Sequence, residues 1–247
     1  MNDVKGYLVA AVLVVALVVP SFLYAHGDEA PNEPGHEGHG GLVHPFLVHM
    51  GLPDEPGMTD VRINSVQSIE NGVRSGDVGF HIEAGLWKGV GIHLRNDGMS
   101  ENPETELMVQ GDLWRDSTKQ SGIAIFGEAA FPTGESAANE MNWLYGVSGR
   151  FVFSHFSLDA DIHHNIRDKM VEFEAGLVCG LTPTIFPILE MNGEFQQNAS
   201  ALVNLMPAVK IKLGGNNVVG IGYKFPLSSR KEFERQLVVQ WDMDFHN

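Results

Sequence analysis

Between about residue 60 and the C-terminus, apolar and polar residues alternate along segments separated by Gly, Asn, Asp, Ser and Pro. The last segment is the clearest. Leu237, Val239, Trp241, Met243 and Phe245 fall on one face, and Gln236, Gln240, Asp242 and Asp244 on the other, with Val238 as the exception. Phe156, Leu158, Ala160 and Ile162 alternate in the same way with Ser157, Asp159, Asp161 and His163. So do Val171, Phe173, Ala175, Leu177 and Cys179 with Glu172, Glu174 and Gly176. A period of two puts successive side chains on opposite faces of an extended chain, so these segments predict strands. Their lengths lie near the roughly 9–11 residues that a tilted strand needs to cross a bilayer. They follow one another as hairpins with almost no helical pattern between them. In hydrocarbon every backbone N–H and C=O needs a partner within the protein, which a closed barrel supplies. The expected fold is all-β: an antiparallel up-and-down transmembrane β-barrel of about 10–12 strands over residues 60–247, with an even number favoured. Pro187 fits the turn before Ile188, whereas Pro207 falls inside an apparent strand and calls for a bulge or a strand end.

Two N-terminal stretches break the rhythm. Residues 1–25 carry Lys5, an apolar run from Tyr7 and a small residue at Ala25, the pattern of a cleaved secretory signal peptide. An uncleaved anchor is the alternative, and either one exports the rest of the chain. Residues 26–59 are rich in His, Gly, Pro and acid. They lack apolar surface to offset the entropy of ordering, which predicts a flexible extension with a short ordered piece at Leu42–Met50. Export and a barrel together point to the outer membrane of a Gram-negative bacterium. Outer-membrane lipid and the barrel-assembly machinery are then expected partners.

Charge narrows the function. The chain has 31 acidic residues against 16 Lys and Arg, a formal charge of −15. That balance argues against nucleic acid, which needs a basic face, and suits cations. The single cysteine, Cys179, excludes an internal disulfide and any multi-cysteine zinc site.

The stretches GEAAFPTG (Gly127–Gly134) and Leu205–Phe245, with the strand–turn rhythm between them, resemble outer-membrane barrels of the transporter type. That group includes the phenol-degradation barrel family and copper-resistance outer-membrane proteins. The resemblance implies a porin-like transporter for a small solute or cation, linked to metal handling and not enzymatic. The final strand, with Trp241, Met243 and Phe245 at alternate positions, also resembles the strand that such barrels present to their assembly machinery.

Three sets of residues are candidates for chemistry. His26, His36, His39, His44 and His49 in the extension suit Cu, Zn or Ni, because imidazole binds all three. The alternation puts Glu83, Asp112, Glu128, Asp159, Asp161, Glu172, Glu174, Glu190, Glu194, Asp242 and Asp244 on the lumen face. Arg95, Arg150, Lys210, Lys212 and Lys224 share that face. An acidic passage of low dielectric concentrates cations, and a small barrel can equally fill its interior with a crosslinked polar network. The alternative functions are a periplasm-exposed metal-binding barrel without conductance and, behind it, a lipid-modifying hydrolase. The hydrolase reading rests on His155 and Ser157 as base and nucleophile, but the position twelve beyond the serine is Lys169, not a third member.

Overall fold

The computed structural model of the chain describes residues 42–48, 51–96, 98, 104–118, 120–133, 141–197 and 199–246. The apolar run of residues 1–25 lies outside them, as do His26, His36, His39 and His49.

The alternating segments form twelve strands. They are β1 (Met58–Glu70), β2 (Val73–Trp87), β3 (Val90–Asn96), β4 (Glu104–Arg115), β5 (Gly122–Pro132), β6 (Asn142–Phe153), β7 (Phe156–Asn165), β8 (Met170–Cys179), β9 (Ile185–Gln196), β10 (Leu202–Gly214), β11 (Asn217–Pro226) and β12 (Arg235–His246). Each pairs antiparallel with its sequence neighbours, and β1 closes on β12 from Met58↔His246 to Ile69↔Arg235. Closure leaves no open edge, so the backbone is satisfied inside the sheet. The β1–β2 hairpin turns on Asn71 and Gly72, with φ of 50° and 76°. Two consecutive positive φ values match the right-handed twist of the strands, which is why Asn-Gly stands there.

Both prolines sit inside strands. Pro187 lies within β9 opposite Val209 of β10, one residue past the last β8–β9 pair, Val178↔Ile188. Pro207 pairs with Leu189 of β9, while the ladder to β11 skips from Leu205↔Phe225 to Ala208↔Gly222. Neither the turn nor the bulge expected from sequence is needed. Each missing N–H falls on a side where the ladder has ended or lapsed.

The two faces differ as a membrane requires. Large apolar side chains stand exposed on the outside, among them Ile82, Leu107, Val109, Ile125, Val147, Ile162, Leu189, Ile221 and Val239. Such a continuous apolar belt is incompatible with water and natural in hydrocarbon. Exposed aromatic side chains gather near its two ends. Trp87, Trp114, Phe156, Trp241 and Phe245 stand near the end where β1 begins and β12 finishes, and Phe131, Trp143 and Tyr145 near the other. Aromatic girdles at both interfaces are the usual flank of a membrane barrel.

The interior is not simply polar. Residues 42–48 and 51–56, which their composition groups with the flexible extension, run inside the barrel as an irregular segment. Leu42, Val43 and Phe46 cluster with the wall residues Val178, Phe186, Ile188, Met206, Val218 and Val238. These wall positions are the exceptions to polar-inside alternation, and the segment is their partner. The wall also makes room for it. A Cβ on Gly176 would lie 2.8 Å from the Pro45 side chain, and one on Gly220 or Gly85 would collide with Phe46 or the Glu55 backbone.

Candidate functional site

The inserted segment divides the lumen. Glu190 of β9 accepts the Phe46 N–H at 2.5 Å and the Leu47 N–H at 2.7 Å. Lys210 of β10 donates to the Pro45 carbonyl at 3.1 Å and pairs with Asp242 of β12 at 2.6 Å. Arg150 of β6 bonds His44 Nδ1 at 3.1 Å, Ser148 donates to the Gly51 carbonyl at 3.2 Å, and Arg115 donates to the Pro53 carbonyl at 2.6 Å. Irregular backbone carries polar groups that no neighbouring strand satisfies. Here the wall side chains satisfy them, and the segment becomes a plug. It lies toward the mouth where the barrel's first strand begins.

On the other side of the plug the lumen is a cavity of about 700 Å³. Its floor is Phe46, Leu47 and Val48, and its wall carries Asp77, Glu172, Glu174, Glu194 and Glu232 against Arg95 and Lys224. Five carboxylates against two fixed cations leave this vestibule acidic. Walls of low dielectric focus that field on the cavity and raise the local cation concentration.

The eleven candidate carboxylates all occupy the same strand parity as the buried positions. Glu83, Glu128, Asp159, Asp161, Glu190 and Asp242 are buried, whereas Asp112, Glu172, Glu174, Glu194 and Asp244 are partly open. They do not form one acidic lining. Asp242 is paired with Lys210, Asp159 lies 3.6 Å from Arg150, and Asp161 contacts His163 at 3.0 Å. Asp112 pairs with Arg115 at 2.7 Å. Glu172, Glu174 and Glu194 alone of the eleven line the vestibule. Of the candidate metal histidines, only His44 is described. It is buried and bonds Arg150 at 3.1 Å.

Sequence reasoning missed several inward groups. Arg62, His81, His93 and Gln110 are buried on β1, β2, β3 and β4. The alternation of β2 and β3, His81-Ile82-Glu83 against Ile92-His93-Leu94, held the signal, but both strands are interrupted by glycines and read less clearly than β12. The hydrolase constellation does not assemble. His155 lies exposed in the β6–β7 turn, while Ser157 is buried and donates to Asp159 at 3.2 Å. Lys169 sits in a turn with a φ of 51°.

No family model and no curated protein matches the chain. Solved structures do match in fold. The KdgM porin in complex with disordered oligogalacturonate shares 14% identity, with 76% of this chain and 99% of that one covered at a TM-score of 0.55. An outer membrane channel from Pseudomonas putida F1 shares 10% identity over 82% of this chain and 100% of that one, at a TM-score of 0.56. The NanC porin shares 7% identity over 76% and 99%, at 0.56. At such identities the likeness is one of fold: this chain shares the closed antiparallel β-barrel of those outer-membrane channels.

Proposed function

We propose that the protein is an outer-membrane, porin-like transporter that passes a small solute or cation and whose passage its own N-terminal segment controls. The observation that carries this reading is the acidic vestibule of about 700 Å³ that ends on a plug held by polar contacts. A barrel meant only to be solid would fill that volume with side chains. Loop lengths support an orientation. The turns on the plug side, β2–β3, β4–β5, β6–β7, β8–β9 and β10–β11, span 2, 6, 2, 5 and 2 residues. Those on the vestibule side, from β1–β2 to β11–β12, span 2, 7, 9, 4, 5 and 8. Short periplasmic turns and longer external loops are the rule in such barrels. The vestibule then faces outward and the plug faces the periplasm. The KdgM, NanC and P. putida channels share the architecture, which favours transport over catalysis. Kinship with phenol-degradation or copper-resistance barrels rests on the Gly127–Gly134 and Leu205–Phe245 stretches.

Planar-bilayer recording tests the proposal. The intact chain gives small or rare openings, and a chain lacking residues 42–52 gives a larger, steady, cation-selective conductance. A folded, inserted deletion variant that passes no current would sink the reading.

A further inference from the structure

At the edge of the vestibule the wall holds a second arrangement of a different chemistry. His81 lines the cavity, and Glu83 follows two residues later on the same face of β2. His93 of β3 stands directly opposite Glu83 in the register. His81 Nε2 lies 3.2 Å from His93 Nδ1, and His93 Nε2 lies 3.4 Å from Glu83 Oε1. One ligand atom from each residue falls within 4.8 Å of the others. Two nitrogens held by one tetrahedral zinc ion at about 2.0–2.1 Å are about 3.3 Å apart, so the imidazole spacing already suits an ion. The Glu83 contact is to the other ring nitrogen, Nε2, so an ion between His81 Nε2 and His93 Nδ1 requires the carboxylate to turn toward Nδ1, within the 4.8 Å that separates the ligand atoms.

We propose that His81, Glu83 and His93 bind one divalent transition-metal ion of the zinc, copper(II) or nickel class. Three features argue for an ion over a plain polar network. Glu83 is 1% exposed, and neither carboxylate oxygen has a hydrogen-bond partner. A buried carboxylate left in that state is costly, and a dication removes the cost. Arg62 is 3.8 Å from Glu83 but only 2.8 Å from Asp60, so one guanidinium is shared between two carboxylates and lies closer to Asp60. The imidazole of His93 is also oriented from outside the set: Gln110 Oε1 lies 3.2 Å from Nε2, and Gln110 Nε2 donates to Ser148 at 2.7 Å. Outer partners of this kind fix the ring and tautomer of metal-binding histidines. Two imidazoles and one carboxylate leave coordination positions open for water or a solute group, and they disfavour calcium and magnesium, which take oxygen ligands. The acidic vestibule supplies the approach. Because Ser148 also donates to Gly51, an ion on His93 is linked through Gln110 to the plug.

Cobalt(II) titration of the folded full chain in detergent is the test, with His26, His36, His39 and His49 replaced by Asn so that the extension takes no metal. One cobalt per barrel is expected, with visible ligand-field bands, displacement by zinc and no displacement by excess magnesium. His93→Gln and His81→Gln each lower affinity at least tenfold. Glu83→Gln, nearly isosteric and so least prone to misfold, does the same while its unboiled gel mobility stays that of a folded barrel. No stoichiometric cobalt in the parent, or equal affinity in folded Glu83→Gln, overturns the site. Conductance is recorded separately on the same proteins, so failure here leaves the channel proposal standing, and the reverse also holds.

Discussion

The two halves of the lumen differ in how their polar groups are satisfied. On the plug side, Lys210, Asp242, Glu190 and Arg150 are buried and bound to one another, to backbone of residues 45–47 or, for Arg150, to the His44 ring. On the vestibule side, Glu172 and Glu194 meet His163 at 3.6 Å and Arg230 at 3.3 Å, yet with Glu174 they line a cavity and remain partly open. The same inward parity on the same strands thus yields structural charges at one end and field-shaping charges at the other. A buried ion pair whose one member is removed leaves an uncompensated charge, whereas a carboxylate that reaches solvent loses little when neutralised.

The comparison breaks most sharply at Asp242. Asp242→Asn leaves Lys210 without its partner at 2.6 Å and should cost about 3–5 kcal/mol. Urea unfolding in lipid vesicles measures it, and a loss under about 1 kcal/mol would put the plug-side charges in the same class as the vestibule's. Phe46→Ala removes the plug's central ring, packed against Gly220 and under the Lys210 ammonium at 4.7 Å. About 3 kcal/mol of docking should go with it, seen as faster hydrogen exchange at the Phe46 and Leu47 amides with the barrel amides unchanged. Exchange that rises equally around the barrel would mean that plug and wall unfold as one unit. Glu174→Gln with Glu232→Gln, both lining the vestibule, should change stability by less than about 1 kcal/mol while lowering the preference for cations over anions, most at low salt. The smallest effect belongs outside both halves. Arg167, in the β7–β8 turn, meets Glu104 at 3.2 Å with Arg167 exposed and Glu104 partly exposed, and Arg167→Ala should cost about 0–1 kcal/mol in the same unfolding assay.

The outer wall was legible because it answers to a single solvent. Leu237, Val239, Trp241 and Phe245 all face hydrocarbon, so a period of two in the sequence maps directly onto the structure. Val238 broke that period. Its reason lies far away in the chain, at Leu42, Val43 and Phe46, and no local pattern could connect them. Composition likewise grouped residues 42–56 with the solvated extension, apart from a short ordered piece at Leu42–Met50, because the stretch has no sustained period of 2 or 3.6 residues to mark a partner. These residues are held because the wall presents a matching apolar patch and side chains that take their backbone groups.

What the sequence determined by itself was the barrel: alternation, segment length and turn residues act between neighbours, and a strand needs only those to know its faces. Tertiary structure decided the interior. Register brought Glu83 opposite His93 and set His81 beside it, and closure brought β10 and β12 close enough for Lys210 to meet Asp242. Which carboxylates are paired and which face open water depends on distances across the lumen. Those distances are fixed by ring closure and by the plug, and the order of residues along any one strand does not contain them.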